Sequence, residues 1–226
     1  MTANGDNSLV ALVTGAGRGL GRAIASQLAA SEFTVFAGAR DPGTVDSSGG
    51  DVRALPLDVA DPASIAAVRE QIERLDVLVN NAAIGNDGDH LVLDPDFELV
   101  SAALETNTYG PWRLAIAFAD LLKESGRGRI VNVSSGAAAL ATVTDIGPGY
   151  VVSKVALNAV TRMLADALGP SGVLVNSVCP GWVATEMGGP GGRPPAEAAQ
   201  GVVWAATLPA DGPTGGFFRD GESIAW

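Results

Sequence analysis

The sequence predicts a single doubly wound α/β domain: a parallel, seven-stranded sheet with helices on both faces. Three observations predict it. Apolar runs rich in Val, Ile and Leu alternate with longer helical patterns along the chain, as in parallel sheets buried on both sides. A length of 226 residues, 47% of them hydrophobic and 17% charged, suits one core of this kind better than two. A glycine-rich turn stands between the first apolar run and the first helical pattern, where such folds bind ligands.

The strand candidates, in order, are Leu9 to Thr14, Thr34 to Ala39, Val52 to Leu57, Asp76 to Asn80, Arg129 to Ser134 and Val173 to Val178, with a weaker one near Gly215 to Arg219. Each is a short apolar or β-branched run bounded by polar, Gly or Pro residues. Between them, helical patterns run over about Gly19 to Ala30, Pro62 to Arg74, Phe97 to Leu122, Gly149 to Leu168 and Pro195 to Leu208. Asp41 to Asp51 reads as a surface loop. Residues 1–8 read as a polar tail, and the GGPGGRPP stretch within residues 186–196 as a short mobile loop near a site mouth.

Composition narrows the function classes. Twenty-five acidic against 14 basic residues give a net charge of −11, which disfavours nucleic acid and anionic membranes as partners. No apolar run reaches the roughly 20 residues of a membrane helix, and the first residues lack the features of a secretory signal. A single cysteine, Cys179, permits no internal disulfide. These features lead to the expectation of a soluble cytoplasmic protein. His90, the only histidine, has no Cys or His neighbour in sequence, so no metal site is expected.

The first strand ends in Thr14-Gly15-Ala16-Gly17-Arg18-Gly19-Leu20-Gly21. Glycines at a strand-to-helix turn let backbone approach a pyrophosphate, which the helix N-terminus attracts through free N–H groups and partial positive charge. The spacing is T-G-x-x-x-G-x-G rather than G-x-G-x-x-G, because Leu20 stands where the last glycine would fall. After the second strand come Ala39 and Arg40. An acidic residue at the Ala39 position would accept from a ribose 2′-OH and select NAD, whereas a guanidinium can fork onto a 2′-phosphate. With Arg18 approaching the same phosphate, NADP(H) is the expected cofactor. In the alternative, Arg40 is merely solvated and Asp41 or Asp46 serves the ribose.

Tyr150 and Lys154 stand four apart at the start of a helical pattern and share one face. A neighbouring ammonium stabilises phenolate, which is expected to lower the phenol's pKa toward working pH and make it a general acid for a carbonyl oxygen receiving hydride. Alone, such a pair is as well read as structural. Ser134 and Ser135 end the Arg129 strand at the ligand-binding edge of the sheet. A hydroxyl there can donate to the substrate oxygen, and Ser134 is read as satisfying backbone groups instead.

Taken in order, TGAGRGLG from Thr14, Asp58-Val59, Asn80-Asn81-Ala82-Ala83, Asn107 before Gly110, VNVSS ending at Ser135, YVVSK from Tyr150 and PGWVAT from Pro180 resemble the short-chain dehydrogenase/reductase family along nearly the whole chain. The resemblance implies a Rossmann-type sheet and assigns roles by position. Tyr150 is the implied acid. Lys154 lowers its pKa and holds the nicotinamide ribose, Ser135 orients substrate, and Asn107 bends its helix and holds a relay water. Gly15, Gly17, Gly19, Gly21 and Leu20 belong to the implied pyrophosphate loop. Asp58 and Val59 contact adenine, Asn81 and Ala82 floor the ribose, and Pro180, Gly181, Val183 and Thr185 clamp the nicotinamide. By its residues alone, Asn107 is an ordinary polar residue in a helical pattern and Asp58 a strand-end cap.

The sequence departs from the family where Ala83 replaces a glycine, where Ser135 and Tyr150 lie 15 apart, and where the chain is short around Glu186 to Pro195. The last suggests an open pocket for bulky ketones or aldehydes. Trp182 and Met187 are expected near substrate, Trp204 in the core, and Cys179 as a buried small residue. The expected function is reduction of a ketone or aldehyde to an alcohol with NADPH. Two rivals stand beside it: an NAD-linked alcohol or sugar dehydrogenase working oxidatively, and an NADPH sensor without turnover. Relatives of this kind are commonly homodimers or homotetramers.

Overall fold

In β1 (Val10–Thr14), Ala11, Leu12 and Val13 have no exposed surface, the burial a central parallel strand requires on both faces. The computed structural model describes residues 8–85, 87–145 and 147–226; of the polar tail expected over residues 1–8, only Ser8 falls among them. After β1 come α1 (Gly19–Ala30), β2 (Thr34–Ala39), β3 (Val52–Pro56), α2 (Pro62–Arg69), β4 (Val77–Asn80), α3 (Phe97–Leu104), α4 (Gly110–Glu124), β5 (Arg129–Val133), α5 (Pro148–Leu168), β6 (Leu174–Val178), α6 (Pro195–Ala206), β7 (Phe217–Arg219) and β8 (Glu222–Ser223).

The strands form one sheet in the order β3-β2-β1-β4-β5-β6-β7-β8. Strands β1 to β7 are parallel, and β8 runs antiparallel to β7. One apolar layer, with Ile65, Val68, Leu114, Phe118 and Leu164, packs α2, α4 and α5 on one face. The other, with Ile24, Leu28, Ala199 and Val202, packs α1 and α6 on the opposite face. After β3 the chain crosses to the far side of β1, so the loops after β1 and β4 diverge and leave a crevice at their carboxyl ends.

Three departures from expectation have identifiable causes. The sheet has an eighth strand because Asp220 (φ 53°) and Gly221 (φ 82°) make a two-residue turn between the paired Arg219 and Glu222. Asp-Gly is a composition suited to that turn. Helix α2 stops at Arg69, whose guanidinium donates to Ile72 O and Ala117 O and holds the next segment out of the helix. The pattern expected as one helix from Phe97 is split by a π-helical turn over Glu105–Tyr109. Pro111 lacks the N–H that would serve the carbonyl of residue 107 in an α-helix.

Candidate active site

The crevice begins where β1 passes the chain to α1. Gly15 has φ 66°, and a Cβ there would lie 2.9 Å from Ala82 Cα; at Gly21 it would lie 2.2 Å from Gly15 O. Only glycine fits either place. Helix α1 begins after Arg18 with no side chain capping it and no acidic residue in its first turn, which leaves its positive end available to an anion. Across the crevice, Thr14 Oγ1 accepts from Asn81 N and Ala82 N, both at 3.0 Å, and Asn81 Nδ2 donates to Thr14 O at 2.9 Å. Arg22, which the motif did not single out, ties Gly17 O (2.5 Å) to Thr44 O (3.1 Å). Leu20 packs partly buried against the core. A Gly21→Ala variant is expected to lose about 1–3 kcal/mol of stability, as overpacked sites do, and to bind dinucleotide more weakly; thermal melts and a fluorescence titration measure both.

At the end of β2, Ala39 is buried and Arg40 is exposed. Among the described residues Arg40 has no hydrogen-bond or carboxylate partner. The two carboxylates that might have served a ribose are engaged locally. Asp41 accepts from Gly43 N at 2.9 Å. Asp46 accepts from the Ser48 hydroxyl and N–H, which hold its carboxyl below the usual value. Arg18 is ion-paired with Glu186, so of the two arginines expected at a 2′-phosphate only Arg40 is unpaired. Asp58 Oδ1 accepts from Ala60 N at 3.0 Å, a strand-end cap, while the Val59 side chain is in the core against Gly110.

Tyr150 and Lys154 lie on one face of α5, with Lys154 Nζ 5.8 Å from the Tyr150 ring centroid. Lys154 is 2% exposed and donates to Val133 O at 2.8 Å; its burial lowers the pKa from 10.5 to about 8. The phenol moves the opposite way from the sequence expectation. Burial raises it above its ordinary 10.0, a hydrogen bond with Ser135 pulls it back in part, and Cys179 nearby raises it further. Desolvation wins because Lys154 is directed to a backbone carbonyl and sits beside the ring.

Ser135 Oγ also accepts from Ala137 N at 3.2 Å. Ser134, expected to satisfy backbone groups, instead has a buried Oγ with no partner among the described residues; its backbone N–H is satisfied within the sheet by Val178 O. The Asn107 side chain is held through both its oxygen and its nitrogen. Its Oδ1 accepts from Ile84 N, and its Nδ2 donates to Ile84 O and to Ser153 Oγ, whose hydroxyl in turn donates to Tyr150 O at 2.7 Å. Thr108 Oγ1 donates to Ser153 O, so the π turn is pinned to the helical turn carrying Tyr150.

The 180–193 segment closes on itself. Val183 bridges Arg193, and Gly188 N and Gly189 N donate to Thr185. Thr185 also sits over the glycine loop, with its methyl 3.1 Å from where a Gly19 Cβ would stand. Gly181 takes φ 76° just after Pro180. Trp182, expected near substrate, is 62% exposed and donates its indole N–H to Gly188 O of its own loop. Met187 is better placed: Gly85 lies between its sulfur and the Tyr150 ring, 3.7 and 3.1 Å from a hypothetical Cβ. Cys179 is buried as expected, but its Sγ accepts from Gly136 N, Gly181 N and Arg219 Nη2. Trp204 packs edge-on to Phe218 at the core. Gly85, Thr108 and Ser153 had no sequence signal as spacers and braces, because each acts through a contact distant in the chain.

Ser135 next to the Tyr150 phenol, a lysine over that ring and a glycine cradle thus occupy one edge of the sheet. The sequence matches the family pattern described as short chain dehydrogenase over residues 9–193. The chain belongs to the short-chain dehydrogenase family. It is therefore an oxidoreductase of a family that uses nicotinamide cofactors. Among relatives, it is 38% identical to the short-chain reductase protein NovJ of Streptomyces niveus, over 79% of this chain and 70% of that protein. It is 35% identical to the 3-oxoacyl-[acyl-carrier-protein] reductase FabG of Escherichia coli, over 79% and 75%. Among solved structures, NADPH-bound carbonyl reductase from chicken fatty liver superposes with a TM-score of 0.86 at 30% identity, over 97% of this chain and 99% of that one. An NAD-bound 3-oxoacyl-[acyl-carrier protein] reductase from Brucella melitensis gives 0.82 at 27% identity, over 95% and 90%. Among the described residues, no helix is long and apolar enough to cross a membrane.

Proposed function

We propose that this short-chain dehydrogenase reduces a ketone or aldehyde to an alcohol, with NADPH as its cofactor and Tyr150 as the proton donor. The observation that carries the reading is Tyr150 and buried Lys154 on one face of α5, with Ser135 next to the phenol, at the same sheet edge as the glycine cradle. When bound, the cofactor supplies hydride. The chain's own residues do the rest. Ser135 and Tyr150 donate to the carbonyl oxygen, stabilise the developing alkoxide and, through the phenol, protonate it. A phenol held above its ordinary pKa keeps that proton at neutral pH, which suits reduction.

Gly15, Gly17, Gly19, Leu20 and Gly21, with the uncapped α1 terminus, would hold the pyrophosphate; Asn81, Ala82 and Asp58 would flank the adenosine half. Pro180, Gly181, Val183 and Thr185 would flank the nicotinamide, and Lys154 would hold its ribose. Asn107, with both amide hydrogens engaged, would take part in a relay only as an acceptor. Ser135, Tyr150 and Met187 form the substrate side. NADPH rather than NADH is supported by Arg40, exposed beside Ala39 and unpartnered among the described residues, while Asp41 and Asp46 are engaged elsewhere.

Exchanging Arg40 for Asp tests the cofactor. The ratio of kcat/KM for NADPH to that for NADH is expected to fall by about 10- to 100-fold, the equivalent of losing one charge-assisted phosphate contact and adding repulsion. An unchanged ratio would remove Arg40 from cofactor selection. A panel of ketones, aldehydes, quinones and 3-oxoacyl thioesters, followed by NADPH absorbance, tests the substrate class.

A further inference from the structure

We propose that Asp87 is a positioning residue for the proton donor: its carboxylate caps the N-terminus of α5 and fixes where the Tyr150 phenol points. The proposal rests on the reading of Tyr150 as that donor. Helix α5 starts without a cap of its own, since its N-cap position is Gly147, left-handed and without a side chain, followed by Pro148. Helices α2 and α3, by contrast, are capped by the aspartates immediately before them, Asp61 and Asp96.

The missing acceptor arrives from 62 residues upstream. Asp87 Oδ2 accepts from Gly149 N at 2.5 Å and from Tyr150 N at 3.3 Å, and Oδ1 lies 3.4 Å from Tyr150 N. The residue is 3% exposed, and among the described residues no cation pairs with it. A buried carboxylate is costly unless hydrogen-bonded, and a helix N-terminus is a setting that stabilises one. A Cβ at Gly149 would lie 2.9 Å from Oδ2, so the glycine there admits the carboxylate.

The same loop braces Tyr150 a second time, because Gly85 packs against its ring. Ile84, one residue earlier, is held through both backbone groups by Asn107. Tyr150 is thereby fixed at its ring by Gly85 and at its own N–H by Asp87. Displacing a reacting group by about 1 Å can cost on the order of 100-fold in rate, so a cap at this residue acts on turnover.

The test compares Asp87→Ala with Asp87→Asn, which keeps one carboxamide oxygen as acceptor. Three quantities are read: kcat for carbonyl reduction at saturating NADPH, NADPH Kd by fluorescence, and amide exchange at Gly149 and Tyr150. For Asp87→Ala, kcat is expected to fall about 10- to 100-fold with faster exchange at both amides, and Kd to stay within about threefold. Asp87→Asn is expected to restore exchange protection and to return kcat to within about threefold of the parent. Parental kcat and exchange in Asp87→Ala, or an Asp87→Asn as impaired as Asp87→Ala, would overturn the proposal. Should Asp87→Ala not fold, Asp87→Asn decides alone: retained protection and kcat support the cap, and loss of either overturns it. The exchange readout does not depend on chemistry, so it stands even if a Tyr150→Phe enzyme proves active and the donor reading fails.

Discussion

A Tyr150→Phe enzyme is expected to reduce carbonyl substrates at least about 1,000-fold more slowly than the parent, within the range that positioned acid catalysis contributes. NADPH Kd is expected to remain within about threefold. Phenylalanine keeps the ring contact with Gly85 and the N–H bond to Asp87, and removes only the hydroxyl that meets Ser135. The pH dependence follows from the direction of the phenol's shift. Its pKa lies above 10.0 because burial disfavours phenolate, so the proton needed for reduction is in place throughout the neutral range. The reverse reaction needs phenolate, and alcohol oxidation is expected to rise with pH across the alkaline range. Initial rates in both directions against pH measure this. A Phe variant with parental activity, or an oxidation rate flat to pH 10, would remove Tyr150 from its place.

Replacing Lys154 with Met is expected to abolish turnover and to stabilise the fold. The side chain is buried, and among the described residues its ammonium donates to one partner, the Val133 carbonyl. In the folded chain its pKa is about 8 against an ordinary 10.5. Below pH 8 the group is charged in both states, and the folded state bears the full desolvation cost, about 3 kcal/mol for that difference. Between pH 8 and 10.5 the unfolded chain binds more protons, so the parent gains stability as pH rises through that window. Above it, both states are neutral and the cost is gone. Urea melts of parent and Lys154→Met should therefore differ by up to about 3 kcal/mol at pH 7 in favour of the variant, with the gap closing by pH 10.5. Equal stability at pH 7 would mean that the ammonium is better solvated than its surroundings indicate. Such a stabilising loss of function is the usual signature of a charge kept for chemistry.

Much of the fold was legible because parallel strands buried on both faces leave unbroken apolar runs. VALVT, TVFAGA and RIVNV are such runs, and each became a strand within one residue of its expected end. Elements set by long-range contacts were not legible. The π turn at Glu105–Tyr109 has a local signal in Pro111, but what holds it in place is Asn107 reaching Ile84 and Ser153. The end of α2 depends on Arg69 reaching Ala117. The Asp-Gly hairpin before β8 does carry a local signal, but two residues of pairing are too short to form a strand pattern in the sequence.

The site divides along the same line. Spacing alone placed Tyr150 and Lys154 on one helical face, and the glycine turn at the mouth of the crevice, because helix periodicity and the space demands of backbone are local properties. Tertiary packing alone decided that the phenol is pushed up rather than down, that Arg18 is taken by Glu186, that Trp182 turns onto its own loop, and that Asp87 supplies the cap α5 lacks. Desolvation, ion pairing and distant capping depend on which groups are brought together across the chain, and those distances are set only when the sheet and its helices close around them.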